Sequence, residues 1–291
     1  MKSMASPDSL RALFDKKLWI LDMDGTVYLG NHVFPETLPF LSRIRQTGAD
    51  YLFFTNNASR SKKTYVDRLA SLGIPASEQQ ILTSGETMLA FLKKERAGKM
   101  VYLVGTPDLE NAFRREGILL YNDYLKKEAS EGAAPVIPSA AEEVSLCPIV
   151  VASFDTTLTY EKLNIACRLI RRGAEFLSTH PDFNCPVAPE EGDFIPDSGA
   201  ICALITASTG KKPRYFGKPY EDVVRMIEAH TGLDRSEMVV VGDRLYTDIA
   251  VGVKNGMDAV LVLSGESTME DVLSSEVEAT YIVQNIGCLL K

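Results

Sequence analysis

Short, wholly apolar runs alternate along the chain with segments whose apolar residues recur every three or four positions. Leu18–Thr26, LWILDMDGT, opens the series: four apolar residues, then two aspartates, a glycine and a threonine. A run of that length bounded by polar turn residues predicts a strand buried on both faces, as in a parallel sheet covered by helices. Tyr51–Phe54, Met100–Gly105, Ile149–Phe154, Glu175–Leu177, Met238–Val241, Ala259–Leu263 and Thr280–Val283 read the same way. Between them, helical spacing runs through Leu38, Leu41 and Ile44 to Gly48, and through Tyr65, Leu69 and Leu72 to Gly73. It returns over Thr159–Arg172 to Gly173, and through Val223, Met226 and Ile227. A glycine after the last apolar position is a C-terminal cap, and Thr83-x-x-Glu86 is a capping box at a helix start. Strands alternating with helices predict an α/β fold around a parallel sheet.

After Glu86 the pattern restarts rather than continues. The pieces from about Glu86 to Gly199 form an α/β unit of their own, inserted between 1–85 and 200–291. Within it, Lys126–Pro148 carries three prolines among alanines and charges and reads as a surface loop. Gly30-Asn31 predicts the turn of a small hairpin or flap.

The ends of the apolar runs carry the chemistry. In a parallel sheet they open onto one edge, where ligands bind. Asp22 and Asp24 follow the first run, Thr55 and Asn56 the second, and Asp243 the run before it, with Asp248 beyond; Lys218 stands between the last two, before a helix. Any one of these clusters alone is an ordinary polar turn, and Asp-Gly pairs are common turn formers. Three carboxylates, a hydroxyl and an ammonium at one edge repel or clash unless something joins them. A divalent cation removes the repulsion, oxygen ligands favour a hard ion such as magnesium, and Thr55 and Lys218 supply donors to a phosphoryl group. The set predicts magnesium-assisted phosphoryl transfer. Thr209-Gly210-Lys211-Lys212 does not make a phosphate loop, because Ile205 and Lys212 occupy the positions of the first glycine and the hydroxyl residue.

Composition narrows the partners. The 291 residues carry a formal net charge of −8 and no basic stripe, which argues against nucleic acid. Five scattered cysteines without a CxxC pair fit neither a disulfide framework nor a structural zinc site and favour a reducing compartment. The first residues show no signal segment, and no stretch approaches the ~18–20 apolar residues of a membrane span. A cytoplasmic protein with no membrane partner is expected.

The ordered motifs Asp22-Met23-Asp24-Gly25-Thr26, Thr55, Lys218 and Gly242-Asp243 with Asp248 resemble the haloacid dehalogenase superfamily of phosphatases. Phe53–Asn57, the large insertion, Phe154-Asp155 and Gly217-Lys218-Pro219 are similar to its NagD-like, p-nitrophenyl-phosphatase-like branch. The resemblance implies a Rossmann-like core with an inserted α/β cap, and hydrolysis of a small phosphorylated metabolite through an aspartyl-phosphate. It implies Asp22 as nucleophile and Asp24 as acid and then base. Thr55, Asn56 and Lys218 would bind the phosphoryl group. Magnesium would sit on Asp22, the Asp24 carbonyl and Asp243, with Asp248 orienting a ligand rather than touching the ion. In the cap, Asp155, His180 and Asp182 are candidate substrate contacts, although the branch carries Thr-Asn-x-Asp where this chain has Thr179-His180-Pro181-Asp182. A dehalogenase would not need Asp24. A phosphomutase or phosphotransferase would use the same residues, and a phospho-aspartate signalling module would keep its acyl phosphate. An apolar cap surface could also join two copies into a homodimer.

Overall fold

Six parallel strands form the central sheet of the computed structural model, which describes residues 3–130, 139–188 and 193–290. In chain order the strands are β1 Leu18–Leu21, β2 Tyr28–Leu29, β3 His32–Val33, β4 Asp50–Thr55, β5 Ile81–Thr83, β6 Val101–Val104 and β7 Ile149–Ala152. They continue as β8 Glu175–Ser178, β9 Asn184–Ala188, β10 Asp193–Pro196, β11 Arg214–Tyr215, β12 Met238–Gly242, β13 Asp258–Val262 and β14 Tyr281–Val283. The central sheet has the order β14-β13-β12-β1-β4-β5, with β1 in its middle. Trp19 and Leu21 point to one apolar layer and Leu18 and Ile20 to the other, which is why β1 has no polar position. Leu21 is in register with Val241 of β12 on one side and Phe53 of β4 on the other, so the residues that follow all emerge at the same edge. β2 and β3 pair as a small antiparallel hairpin, as Gly30-Asn31 predicted.

A second, four-stranded parallel sheet has the order β11-β8-β7-β6, again with apolar layers on both faces. Its membership extends the second unit beyond residue 199. Helix Ser198–Thr209 buries Ile201, Cys202 and Ile205 in the layer on β7, and β11 closes the sheet at Tyr215. The periodic apolar residues of this helix carry no mark of which sheet they face, so the sequence alone could not place it.

The expected loop at Lys126–Pro148 is corrected. Helices Tyr121–Ser130 and Ala140–Leu146 occupy most of it, while residues 131–138 lie outside those described. Ser139 and Glu142 form a capping box, and the Glu143 side chain is fully buried, paired with Arg168 at 2.8 Å and with Arg172. Charge in this stretch pointed to solvent; two arginines one turn apart on helix Tyr160–Arg172 make its burial affordable instead. Among the described residues no helix is long and apolar enough to cross a membrane.

Candidate active site

Asp22 leaves β1 where its backbone N–H still donates to Val241 of β12, at 2.9 Å. The next turn is tight: Gly25 has φ +80°, and a Cβ there would stand 2.5 Å from Asp243 Oδ2. Only glycine satisfies both the left-handed backbone and the close approach of a carboxylate. Asp243 follows β12, and its Oδ2 accepts from the Glu266 N–H at 2.7 Å. Asp248 lies in the single wide turn Leu245–Ile249, where its Oδ2 accepts from the Arg244 N–H at 3.0 Å.

Lys218 enters this group from across the chain. Its Nζ is 2.6 Å from Asp22 Oδ1 and 2.6 Å from Asp248 Oδ1, and it donates to the Phe54 carbonyl at 3.1 Å. Asn56 sets it there: Asn56 Oδ1 accepts from the Lys218 N–H at 2.8 Å and Asn56 Nδ2 donates to the Lys218 carbonyl at 3.0 Å. Its other Nδ2 proton goes to Asp182, so the Asn56 amide holds Lys218 and Asp182 and has no donor left for a phosphoryl oxygen. Thr55 Oγ1 accepts from the Asn57 N–H at 3.1 Å, which leaves its hydroxyl proton to donate into the cleft.

The electrostatics follow from crowding. Asp22 is pushed well above the ordinary carboxylate range by burial, with Asp248 and Asp243 adding to the effect and Lys218 opposing it. Burial and the Asp248 charge raise Asp243 to about 7. The Asp24 side chain opens onto the cleft, yet the protein atoms packed around it raise its pKa against the pull of Arg68, Arg244 and Arg60. Lys218 is raised: burial opposes its charge, but Asp22 and Asp248 outweigh that.

Asp22, Asp243 and Asp248 each offer an oxygen within 4.8 Å of the others, and Asp243 Oδ1 is buried with no hydrogen-bond partner. An orphaned carboxylate oxygen beside two further carboxylates is a donor set suited to a hard divalent cation.

Above this edge, the second sheet contributes the other wall. The cleft is lined by Asp22, Asp24, Thr55 and Lys218 below and by Asp182, Asn184 and Cys185 from the β8–β9 segment. Of the expected cap contacts, Asp182 is at the cleft: it accepts from Asn56 Nδ2 at 3.1 Å and from Arg244 at 3.4 Å. His180 is fully buried, with Nε2 2.8 Å from Asp197 Oδ1 and Nδ1 2.8 Å from Thr179 Oγ1. Asp155 is also buried, paired with Lys162 at 2.6 Å and accepting from the Thr157 N–H at 2.8 Å. Neither of these two lines the cleft, so both shape the wall from behind rather than touch what it holds.

Arg244, which the sequence motifs do not single out, also lines the cleft. It joins Asp182 to Glu266, the latter at 2.7 Å. An arginine directly after Asp243, in a mouth otherwise rich in carboxylates, is the signal the sequence offers for it.

A haloacid dehalogenase-like hydrolase family model matches residues 19–119, and a HAD-hydrolase-like model matches 215–289. The acid sugar phosphatase of Staphylococcus aureus strain MRSA252 is 32% identical over 271 residues, covering 93% of this chain and 95% of the relative. The 4-nitrophenylphosphatase of Thermotoga maritima superposes with a TM-score of 0.83 at 36% identity, covering 96% of this chain and 98% of that one. NagD of Escherichia coli K-12 superposes with a TM-score of 0.78 at 27% identity, covering 94% and 97%. With Asp22, Lys218 and the acidic pair Asp243 and Asp248 gathered at one sheet edge, the chain belongs to the haloacid dehalogenase-like hydrolases, in their NagD-like, p-nitrophenyl-phosphatase-like branch.

Proposed function

We propose that the protein hydrolyses small organic phosphate monoesters through a phosphorylated Asp22, with magnesium as its cation. The observation that carries this reading is the convergence of Lys218 Nζ on Asp22 and Asp248, each at 2.6 Å, beside the partnerless Asp243 Oδ1. The relatives, an acid sugar phosphatase and a 4-nitrophenylphosphatase, support the same substrate class.

Asp22 attacks phosphorus with the carboxylate oxygen that Lys218 does not hold, forming the acyl-phosphate bond as the ester P–O bond breaks. Asp24, whose raised pKa favours the protonated form, gives its proton to the departing alkoxide. It then takes a proton from the water that attacks the acyl phosphate, and inorganic phosphate leaves with Asp22 restored. Lys218 and the Thr55 hydroxyl hold the phosphoryl oxygens and oppose the charge that grows on them. Asp22, the Asp24 carbonyl and Asp243 would hold the cation, with Asp248 fixing Lys218 and the Arg244 backbone beside it. When bound, the ion offsets the repulsion among these carboxylates and the phosphoryl group. The second sheet acts as the cap that shuts the cleft from above.

Phosphate release from p-nitrophenyl phosphate, with magnesium and with excess EDTA, tests the reading. Wild type should turn over only with the ion, and Asp22→Asn, nearly isosteric, should melt normally and release no phosphate. Wild-type turnover by that variant would refute the assigned nucleophile, and one equivalent of stable acyl phosphate without turnover would point to the signalling module.

A further inference from the structure

Beyond Asp24 the cleft widens into a chamber between the hairpin β2–β3, the segment after β4 and the second sheet. Its wall includes Tyr28, Asn57, Arg60, Arg68 and Asp108. The chain as a whole is acidic at −8, yet two arginines line this one chamber. Neither Arg60 nor Arg68 is in an ion pair among the described residues. The two are differently held. Arg68 is fixed in advance: it donates to the Gly30 carbonyl at 2.8 Å and lies over the Tyr28 ring, 5.2 Å from its centroid. Arg60 is exposed at the chamber wall.

The carboxylates in the same wall do not neutralise the pair. Asp24 belongs to the reacting group and forms no ion pair with either arginine among the described residues. Asp108 sits in the first turn of helix Pro107–Arg115, where the positive end of the helix already offsets its charge. Two guanidinium groups facing a chamber on the leaving-group side of the reacting carboxylates are a site for negative charge.

Resting on the phosphatase reading, we propose that Arg60 and Arg68 form a leaving-group subsite that selects phosphate monoesters whose alcohol bears a second anionic group, a carboxylate or a further phosphate. The subsite explains why the arginines lie on the far side of Asp24 from Lys218: the transferred phosphoryl group is already served there, and a second anion needs partners of its own.

Matched substrate pairs test this. The kcat/KM ratios of 3-phosphoglycerate to glycerol 3-phosphate and of fructose 1,6-bisphosphate to fructose 1-phosphate are measured for wild type, Arg60→Gln and Arg60→Lys. Wild type should favour the anionic member of at least one pair by tenfold or more, and the pair that shows it identifies carboxylate or phosphate as the anion. Arg60→Gln should reduce that preference by about tenfold, the size of one charge-assisted hydrogen bond, and Arg60→Lys should restore part of it. Because Arg60 is exposed, the variants should melt with wild type, and a thermal scan confirms it. Turnover of p-nitrophenyl phosphate with no anionic preference in either pair, or a preference unaltered in Arg60→Gln, overturns the subsite alone. Absence of turnover on every ester overturns the subsite and the phosphatase reading together.

Discussion

Lys218→Met separates the ion-pair geometry from everything else at the site, because it keeps side-chain length and removes the charge. Among the described residues, Lys218 is the cation paired with Asp22 and with Asp248, whose side chains are 15% and 1% exposed. Taking away one partner of a buried pair costs about 3–5 kcal/mol, because the charge left behind has neither water nor a counterion. At roughly 2–4 °C per kcal/mol for a chain of this size, the melting temperature should fall by on the order of 10 °C at pH 8 in EDTA. The stranded carboxylates can recover by taking up protons. The Asp22 pKa, already raised by burial, then lies further above the unfolded value of about 3.9, so the folded state binds that proton more tightly and its stability rises as pH falls. The deficit against wild type should therefore shrink markedly at pH 5.5. Magnesium should also restore stability at pH 8, since an ion that binds only the folded state stabilises it by mass action. The assay is near-UV circular dichroism melting at the two pH values, with and without the ion. A deficit below about 3 °C that is the same at both pH values would refute the pairing of Lys218 with two buried carboxylates.

Asp24→Asn should lower turnover by about 10²–10⁴, and more with glycerol phosphate, a poor leaving group, than with p-nitrophenyl phosphate; equal losses on both would remove its role as the acid. Gly265→Ala places a Cβ against the Asp243 carboxylate, so the magnesium concentration for half-maximal rate should rise about tenfold or more, and an unchanged metal titration would show that Asp243 does not hold the ion. Burial works against the His180 charge, but Asp197 raises its pKa on balance above the unfolded value of 6.5. The pair then contributes fully below that value and fades as pH rises through the folded pKa; the melting deficit of His180→Gln should be larger at pH 6 than at pH 9, and equal deficits would contradict an imidazolium there.

The site was legible wherever a residue had to follow a buried strand. Asp22, Thr55 and Asp243 were marked by the abrupt end of an apolar run, and the parallel register of β1 with β12 and β4 brings those ends together as expected. Lys218 had no strand before it, and its motif context located it. The legible part stops where a side chain's partners are distant in sequence. Asn56 looks like a phosphate donor in the string Thr55-Asn56-Asn57, but its amide is closed by Lys218, 162 positions away. His180 and Asp155 share a loop-like setting with Asp182, and only packing shows that the first two face inward. Glu143 shows the same limit: nothing local reveals that Arg168 and Arg172 will take a carboxylate into the second unit's interior. Periodicity reports which face is apolar, and it is silent on which neighbour that face meets.

The return of the chain from β11 has a mechanical consequence. The strand ends at Tyr215, and Phe216 donates its N–H to Ser178 of β8 before Lys218 is reached two residues later. The ammonium paired with Asp22 therefore stands one or two residues from the upper layer. Because Asn56 of the lower layer grips the backbone of the same lysine, one residue registers the spacing of both layers, and a change in that spacing would strain the Lys218–Asp22 pair first.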